Sequence, residues 1–216
     1  MRYKINFKAS HVFFLLVITF LFFIIGSKDN KIEASVNSSF EQEILILDRQ
    51  EIRRKIEQRK KDEFLFNFDL ELDFWLSTIP NKELVYYVMD NNLGIPRTVI
   101  FALVKNESSF IPTAIGRNST SLDYGLFQLN SITYSHLDPS DLMVVENNVK
   151  LGIYHLYSEL QNFNWSIELA VKAYNAGPSR VRNGRVPQST MAYWNKINND
   201  INNYSKMLAD YFEKIY

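Results

Sequence analysis

The chain reads as mainly α-helical, and three observations carry that reading. Glycine and proline are scarce, at seven and six in 216 residues, which leaves too few turns for a many-stranded β architecture. Apolar residues recur at helical spacing, as in Leu84, Val85, Val88 and Met89, and again in Val99, Ile100, Leu103 and Val104; this is the period of a helix with one buried face. Boundary residues stand where such segments begin and end. Asn81 precedes the first, Gly94 follows it, and Pro96 heads the second. Sixteen Phe and twelve Tyr can supply a sizeable core.

In chain order, Arg2, Lys4 and Lys8 precede an uncharged apolar run, Val12 to Ile25, closed by Gly26 and Ser27. A basic start followed by a short apolar stretch has the form of an export signal. The run is shorter than the about 20 apolar residues of a typical spanning helix, yet Ile24-Ile25-Gly26 is a poor cleavage site. Residues 1–27 therefore read as a signal peptide or a membrane anchor, with cleavage and retention both open. Residues 28–79 read as a linker and charged helical region. Lys28 to Phe40 is polar and rich in Ser and Asn, and Glu41 to Glu63 is a charged helix mixing Arg53-Arg54-Lys55 with Glu51 and Glu57. Such mixing marks a solvated face with i,i+4 pairs; a partner or membrane-surface role is the other reading. Phe64 to Leu76 alternates apolar with acidic residues, as a strand does, but Leu65, Phe68, Leu72 and Leu76 also fit a helix.

Residues 80–216 read as the principal domain. Helices are expected over Lys82–Asn92 and Pro96–Asn106, which leaves Glu107 at a helix C-terminus. Asn118 to Asp123 is a Ser/Thr/Asn loop, and Leu122 to Leu129 a short hairpin or extended turn. Glu146–Leu160 and Ser166–Asn175 are two more helices, Gly184–Gln188 a turn, and Thr190–Tyr216 a closing helical segment with a break expected near Asn203.

Several chemistries find no support. The chain has no cysteine, which excludes disulfides, thiolate metal sites and a cysteine nucleophile. His11, His136 and His155 are scattered without ligand spacing, so no metal is expected. No phosphate-binding, dinucleotide or Gly-x-Ser-x-Gly fingerprint occurs, and no cofactor is expected. Basic and acidic residues balance at 24 each, with no focused basic face for nucleic acid.

Four short motifs and a closing segment remain. They are Glu107-Ser108-Ser109-Phe110, Gly125-Leu126-Phe127-Gln128-Leu129-Asn130, Asn148-Val149-Lys150-Leu151-Gly152, Ala173-Tyr174-Asn175-Ala176-Gly177, and Gly184 to Tyr193 with its Pro187, Thr190 and Tyr193. Each is weak alone. In this order and spacing they resemble the soluble, goose-lysozyme-like (Slt-type) lytic transglycosylases, which cut the glycan strands of peptidoglycan. The resemblance spans about residues 84–197. It implies a lysozyme-like helical domain with a short β-hairpin, a cell-envelope or periplasmic location, and peptidoglycan as partner.

The resemblance further implies that Glu107 is the single general acid and then base. A carboxyl can donate a proton near neutrality only where apolar surroundings raise its pKa, and an apolar helix and Phe110, Ile111 and Pro112 flank Glu107. Ser108, Gln128, Tyr174, Asn175 and Tyr193 are the implied substrate-binding residues, with the Tyr174 hydroxyl beside Glu107 and Tyr193 lining the cleft. Phe127 stands where the family has Met, which changes the shape of the apolar wall. Gly152 is assigned to helix packing. Asp123 stays open between a loop-shaping residue and a second carboxylate, as a retaining hydrolase uses. A cleft that binds glycan without cutting it, as part of an envelope machine, is the alternative outside enzymology.

Overall fold

The structure, a computed structural model, describes residues 30–216, with side chains from residue 50 onward. The expected signal or anchor, Val12 to Ile25, lies outside the described residues. Among those described, no helix is long and apolar enough to cross a membrane.

The helices are α1 (Asn30–Thr78), α2 (Lys82–Asp90), α3 (Arg97–Ser108), α4 (Val145–Asn162), α5 (Ile167–Ala176), α6 (Pro178–Arg182) and α7 (Gln188–Glu213). Strands β1 (Ile115–Arg117), β2 (Leu122–Tyr124) and β3 (Leu129–Asn130) and a single 3-10 turn (Asp141–Met143) lie between α3 and α4. The mainly helical expectation with a small β element is met. The described residues divide into two compact units between Asp62 and Glu63. In the first, side chains from Gln50 to Asp62 are exposed, with Lys55 paired to Glu51 at 2.8 Å and Gln58 donating to Asp62 at 2.8 Å.

Three expectations are corrected and one open reading is resolved. The stretch read as a linker is helical from Asn30. Starting a helix is its costly step, and Ser and Asn next to the strong helix formers of residues 41–47 only extend one. Phe64 to Leu76 is helix rather than strand. Its apolar residues return to one side, burying Phe74 and Trp75 with Phe68, Leu72 and Leu76 partly covered. The compact unit thus begins at Glu63, upstream of the start read near Pro80, because Trp75 and Ile79 are fully buried in its core. Finally, α7 runs unbroken past Asn203. Asn203 faces solvent, where its weak helix propensity costs only a fraction of a kcal/mol, while the next residue, Tyr204, is buried and holds the helix down.

In the second unit the core joins Trp75 to Phe101 and Tyr204, at ring separations of 4.5 and 5.6 Å. Arg97 opens α3 and pairs with Glu71 of α1 at 2.9 Å. All six residues from Val99 to Val104 are buried, so α3 runs through the middle of the unit rather than along its surface. The sheet is antiparallel in the order β1-β2-β3, with Gly116 opposite Asp123 and Asp123 opposite Asn130. It is larger than the single hairpin expected. A strand as short as β1 carries too few residues for a period-2 signal.

Two glycines allow α4 to approach the β3 turn. At Gly152 a Cβ would lie 2.1 Å from Cγ of Phe127, so the aromatic ring occupies the space a side chain would need. Gly125 has φ +73° and faces the Asn148 amide, which a Cβ would meet at 2.4 Å. The packing role assigned to Gly152 has its partner in Phe127.

Candidate active site

The buried course of α3 delivers Glu107 to its last turn. The helix ends because Ser109 and Phe110 both take left-handed conformations, φ 52° and 65°, and Ser109 N–H returns to the Lys105 carbonyl at 3.0 Å. Each such non-glycine residue costs on the order of 1 kcal/mol, and Phe110 packing on the core offsets it. On the α7 side, Asp200 accepts from Lys105 at 2.6 Å and from Asn106 at 2.8 Å. The same face of α7 carries Tyr193, whose hydroxyl donates to Glu107 Oε1.

Burial raises the Glu107 carboxyl from its ordinary 4.5 to about 7; the Tyr193 hydrogen bond pulls the other way, and the charge of Asp123 adds to the rise. The first effect is desolvation of the ionised form; the second favours that form, and the third disfavours it. Glu107 is thus a carboxyl that still holds its proton near neutrality.

Asp123 sits at the centre of the sheet. Its Oδ2 accepts from Asn118 at 2.6 Å and its Oδ1 from Asn130 at 2.7 Å, so both oxygens are tied to strand and loop amides. Gln128, φ 48°, uses its amide nitrogen on the Gly125 carbonyl at 2.8 Å and the Ala114 carbonyl at 3.2 Å. It braces the turn.

Tyr174 and Tyr193 divide a task that the family resemblance implies for Tyr174 alone. The Tyr174 hydroxyl donates to the Phe127 carbonyl at 2.8 Å, and the hydroxyl on Glu107 belongs to Tyr193. Burial raises both phenols well above their ordinary pKa, and the Glu107 charge raises both further; they therefore act as neutral donors. Asn175 is exposed at the end of α5, its Oδ1 accepting from Thr190 at 2.7 Å. Ser108, expected to touch substrate, is 7% exposed and donates to the Val104 carbonyl at 3.2 Å. Its hydroxyl serves the helix, because a serine inside a helix readily bonds the carbonyl one turn back.

Asp123, Tyr174 and Tyr193 therefore all lie within electrostatic reach of Glu107. The frame around them comes from Asn148 and Thr190, which stand in the sequence motifs with no contact assigned to them. Asn148, 1% exposed, accepts from Phe127 N–H at 2.8 Å and donates to the carbonyls of Tyr124 at 2.8 Å and Leu142 at 2.7 Å. The Phe127 carbonyl escaped notice, because a backbone acceptor leaves no mark in a sequence.

Replacing Tyr193 with phenylalanine removes a hydrogen bond that favours ionised Glu107. The Glu107 pKa should then rise, and the alkaline limb of the pH–rate profile should move to higher pH with it. An unmoved limb would show that the tyrosine merely fills space.

A stretch covering 58% of this chain resembles 24% of the chain in the X-ray structure of an inactive mutant of the lytic transglycosylase Slt from Pseudomonas aeruginosa, at 26% identity and a TM-score of 0.48. The present chain therefore spans well under two thirds of that protein's length. The Transglycosylase SLT domain family matches residues 88–197. That stretch contains Glu107, Asp123, Gln128, Asn148, Tyr174 and Tyr193 together, and on that match the chain belongs to the SLT transglycosylase domain family.

Proposed function

We propose that this protein is a peptidoglycan lytic transglycosylase. It cleaves the β-1,4 bond between MurNAc and GlcNAc and leaves 1,6-anhydromuramic ends, with Glu107 as sole acid and base. The observation that carries the reading is the Glu107 carboxyl held at about pKa 7 under a tyrosine hydroxyl, inside a matched transglycosylase domain. Protonated Glu107 gives its proton to the leaving glycosidic oxygen as the C1–O bond breaks. The carboxylate so formed accepts from Tyr193. It then takes the proton from the muramyl 6-hydroxyl, whose oxygen bonds to C1, and Glu107 is returned to its starting state with no water consumed. Asn175, exposed beside Thr190, offers an amide to the sugar. Such a substrate implies action in the cell envelope, with export through the N-terminal apolar run, whether as a removable signal or as an anchor.

A hydrolytic route needs Asp123 as nucleophile or electrostatic stabiliser. Two amides already occupy its oxygens, which favours the shaping role. Mass spectrometry of purified peptidoglycan digested by the full chain separates the two. Anhydromuramic ends, each lighter by one water, should accumulate, and Asp123→Asn should retain much of the activity. Reducing ends alone, lost in Asp123→Asn, would establish hydrolysis instead.

A further inference from the structure

Glu159 is 5% exposed on α4 and takes no part in the steps above. One turn earlier, His155 holds Nε2 at 3.8 Å from Glu159 Oε1. The His155 ring lies against Tyr174, with centroids 4.4 Å apart and planes 31° from parallel. The hydroxyl of Tyr174 reaches the Phe127 carbonyl. Asn148, Gly152, His155 and Glu159 advance by four, three and four residues, so they form one stripe along α4. The first two members already grip Phe127: Asn148 takes its N–H, and Gly152 makes room for its ring. His155 is the member that touches the tyrosine bound to the Phe127 carbonyl.

A phenol held by one hydrogen bond keeps freedom to swing about its side-chain torsions, and a second ring against its face removes that freedom. Aromatic pairs of this kind add about 0.5–1.5 kcal/mol beyond the area they bury. This corresponds to a shift of roughly twofold to tenfold toward the held orientation.

We propose that His155 is a positioning residue, which by stacking on Tyr174 keeps that hydroxyl on the Phe127 carbonyl and so holds the Gly125–Gln128 turn in its cleavage-competent place. Glu159, at the imidazole edge, fixes how the ring is presented. The proposal rests on the reading of the chain as a glycan-cleaving enzyme.

The test uses the full chain on purified peptidoglycan, with kcat, KM and melting temperature measured for each variant. His155→Ala should lower kcat by roughly twofold to tenfold, in line with the stacking contribution, with KM little changed. His155→Phe, which restores a flat ring, should recover most of the loss. In a Tyr174→Phe background, where the hydroxyl is already gone, adding His155→Ala should cost little more, since residues that act through one contact are non-additive. If His155→Ala does not fold, His155→Gln, polar but without a ring, replaces it in the same cycle. Wild-type kcat in His155→Ala, failure of the phenylalanine to rescue, or an equal loss in both Tyr174 backgrounds would each overturn the proposal. Failure of the underlying reading looks different: the wild-type chain itself would release no more glycan than Glu107→Gln.

Discussion

Glu107→Gln should abolish glycan cleavage and, at the same time, make the folded protein more stable at alkaline pH. The activity loss follows from the absence of a proton to give; general acid catalysis is worth about 10²–10⁴-fold. The gain in stability follows from linkage. The folded carboxyl has a pKa of about 7 against 4.5 for the ordinary group, so between these values the unfolded chain releases a proton that the folded chain keeps. Stability of the native protein therefore declines as pH rises through that window and levels off above it. Glutamine can still accept from Tyr193 but carries no charge to desolvate. The variant should match wild type below about pH 4.5 and exceed it by on the order of 3 kcal/mol above pH 7. Denaturant melts at pH 4 and pH 8, read beside a cleavage assay, check both halves. A variant that still cuts would end the assignment of Glu107. A stability difference independent of pH would show that its carboxyl is not held protonated.

The second large effect is structural. Asn148 satisfies three buried backbone groups, the Phe127 N–H and the carbonyls of Tyr124 and Leu142. Truncation to alanine takes the Asn148 hydrogen bond from all three in a buried site. A buried group so stranded costs about 1–3 kcal/mol, and even allowing for relaxation the sum should be about 3–5 kcal/mol. For a domain of this size that is a fall of roughly 10 °C in melting temperature. Asn148→Asp should fare no better, because its ionised oxygen would face two carbonyl oxygens in place of a donor. Cleavage should drop with stability, since the turn that loses its hold is the one Tyr174 grips. A melting temperature within a degree or two of wild type would mean that the turn finds other partners.

Much of this molecule was legible beforehand, where its logic is local. The stripes in α2, α3 and α4 repeat every three or four residues, and the caps at Asn81 and Ser166 are short-range hydrogen bonds to the Leu84 and Leu169 N–H groups; both kinds of signal are written in neighbouring letters. Glu107 stood out because several motifs shared one order. Side-chain direction was not legible. Ser108 and Tyr174 were placed on the right elements, yet one hydroxyl turned into its own helix and the other took a distant carbonyl, and Tyr193, on a helix far along the chain, reached Glu107 instead. His155 carries no sign of its role in the residues beside it. Its contact with Tyr174 arises from the packing of α4 on α5, which no run of adjacent residues records. Phe64 to Leu76 stayed open between strand and helix for a similar reason. Alternation and helical return fit the same letters, and only burial of Trp75 separates them.

Every other part of the candidate site precedes α7 along the chain, but Tyr193, Thr190 and Asp200 all lie on that helix. A chain interrupted before α7 would carry the glutamate without the hydroxyl that steadies it and without the clamp on Lys105 and Asn106. The proton-bearing carboxyl and the hydroxyl that holds it are therefore brought together only by the packing of α7 beside α3, so the site exists as a property of the folded domain and not of any one segment.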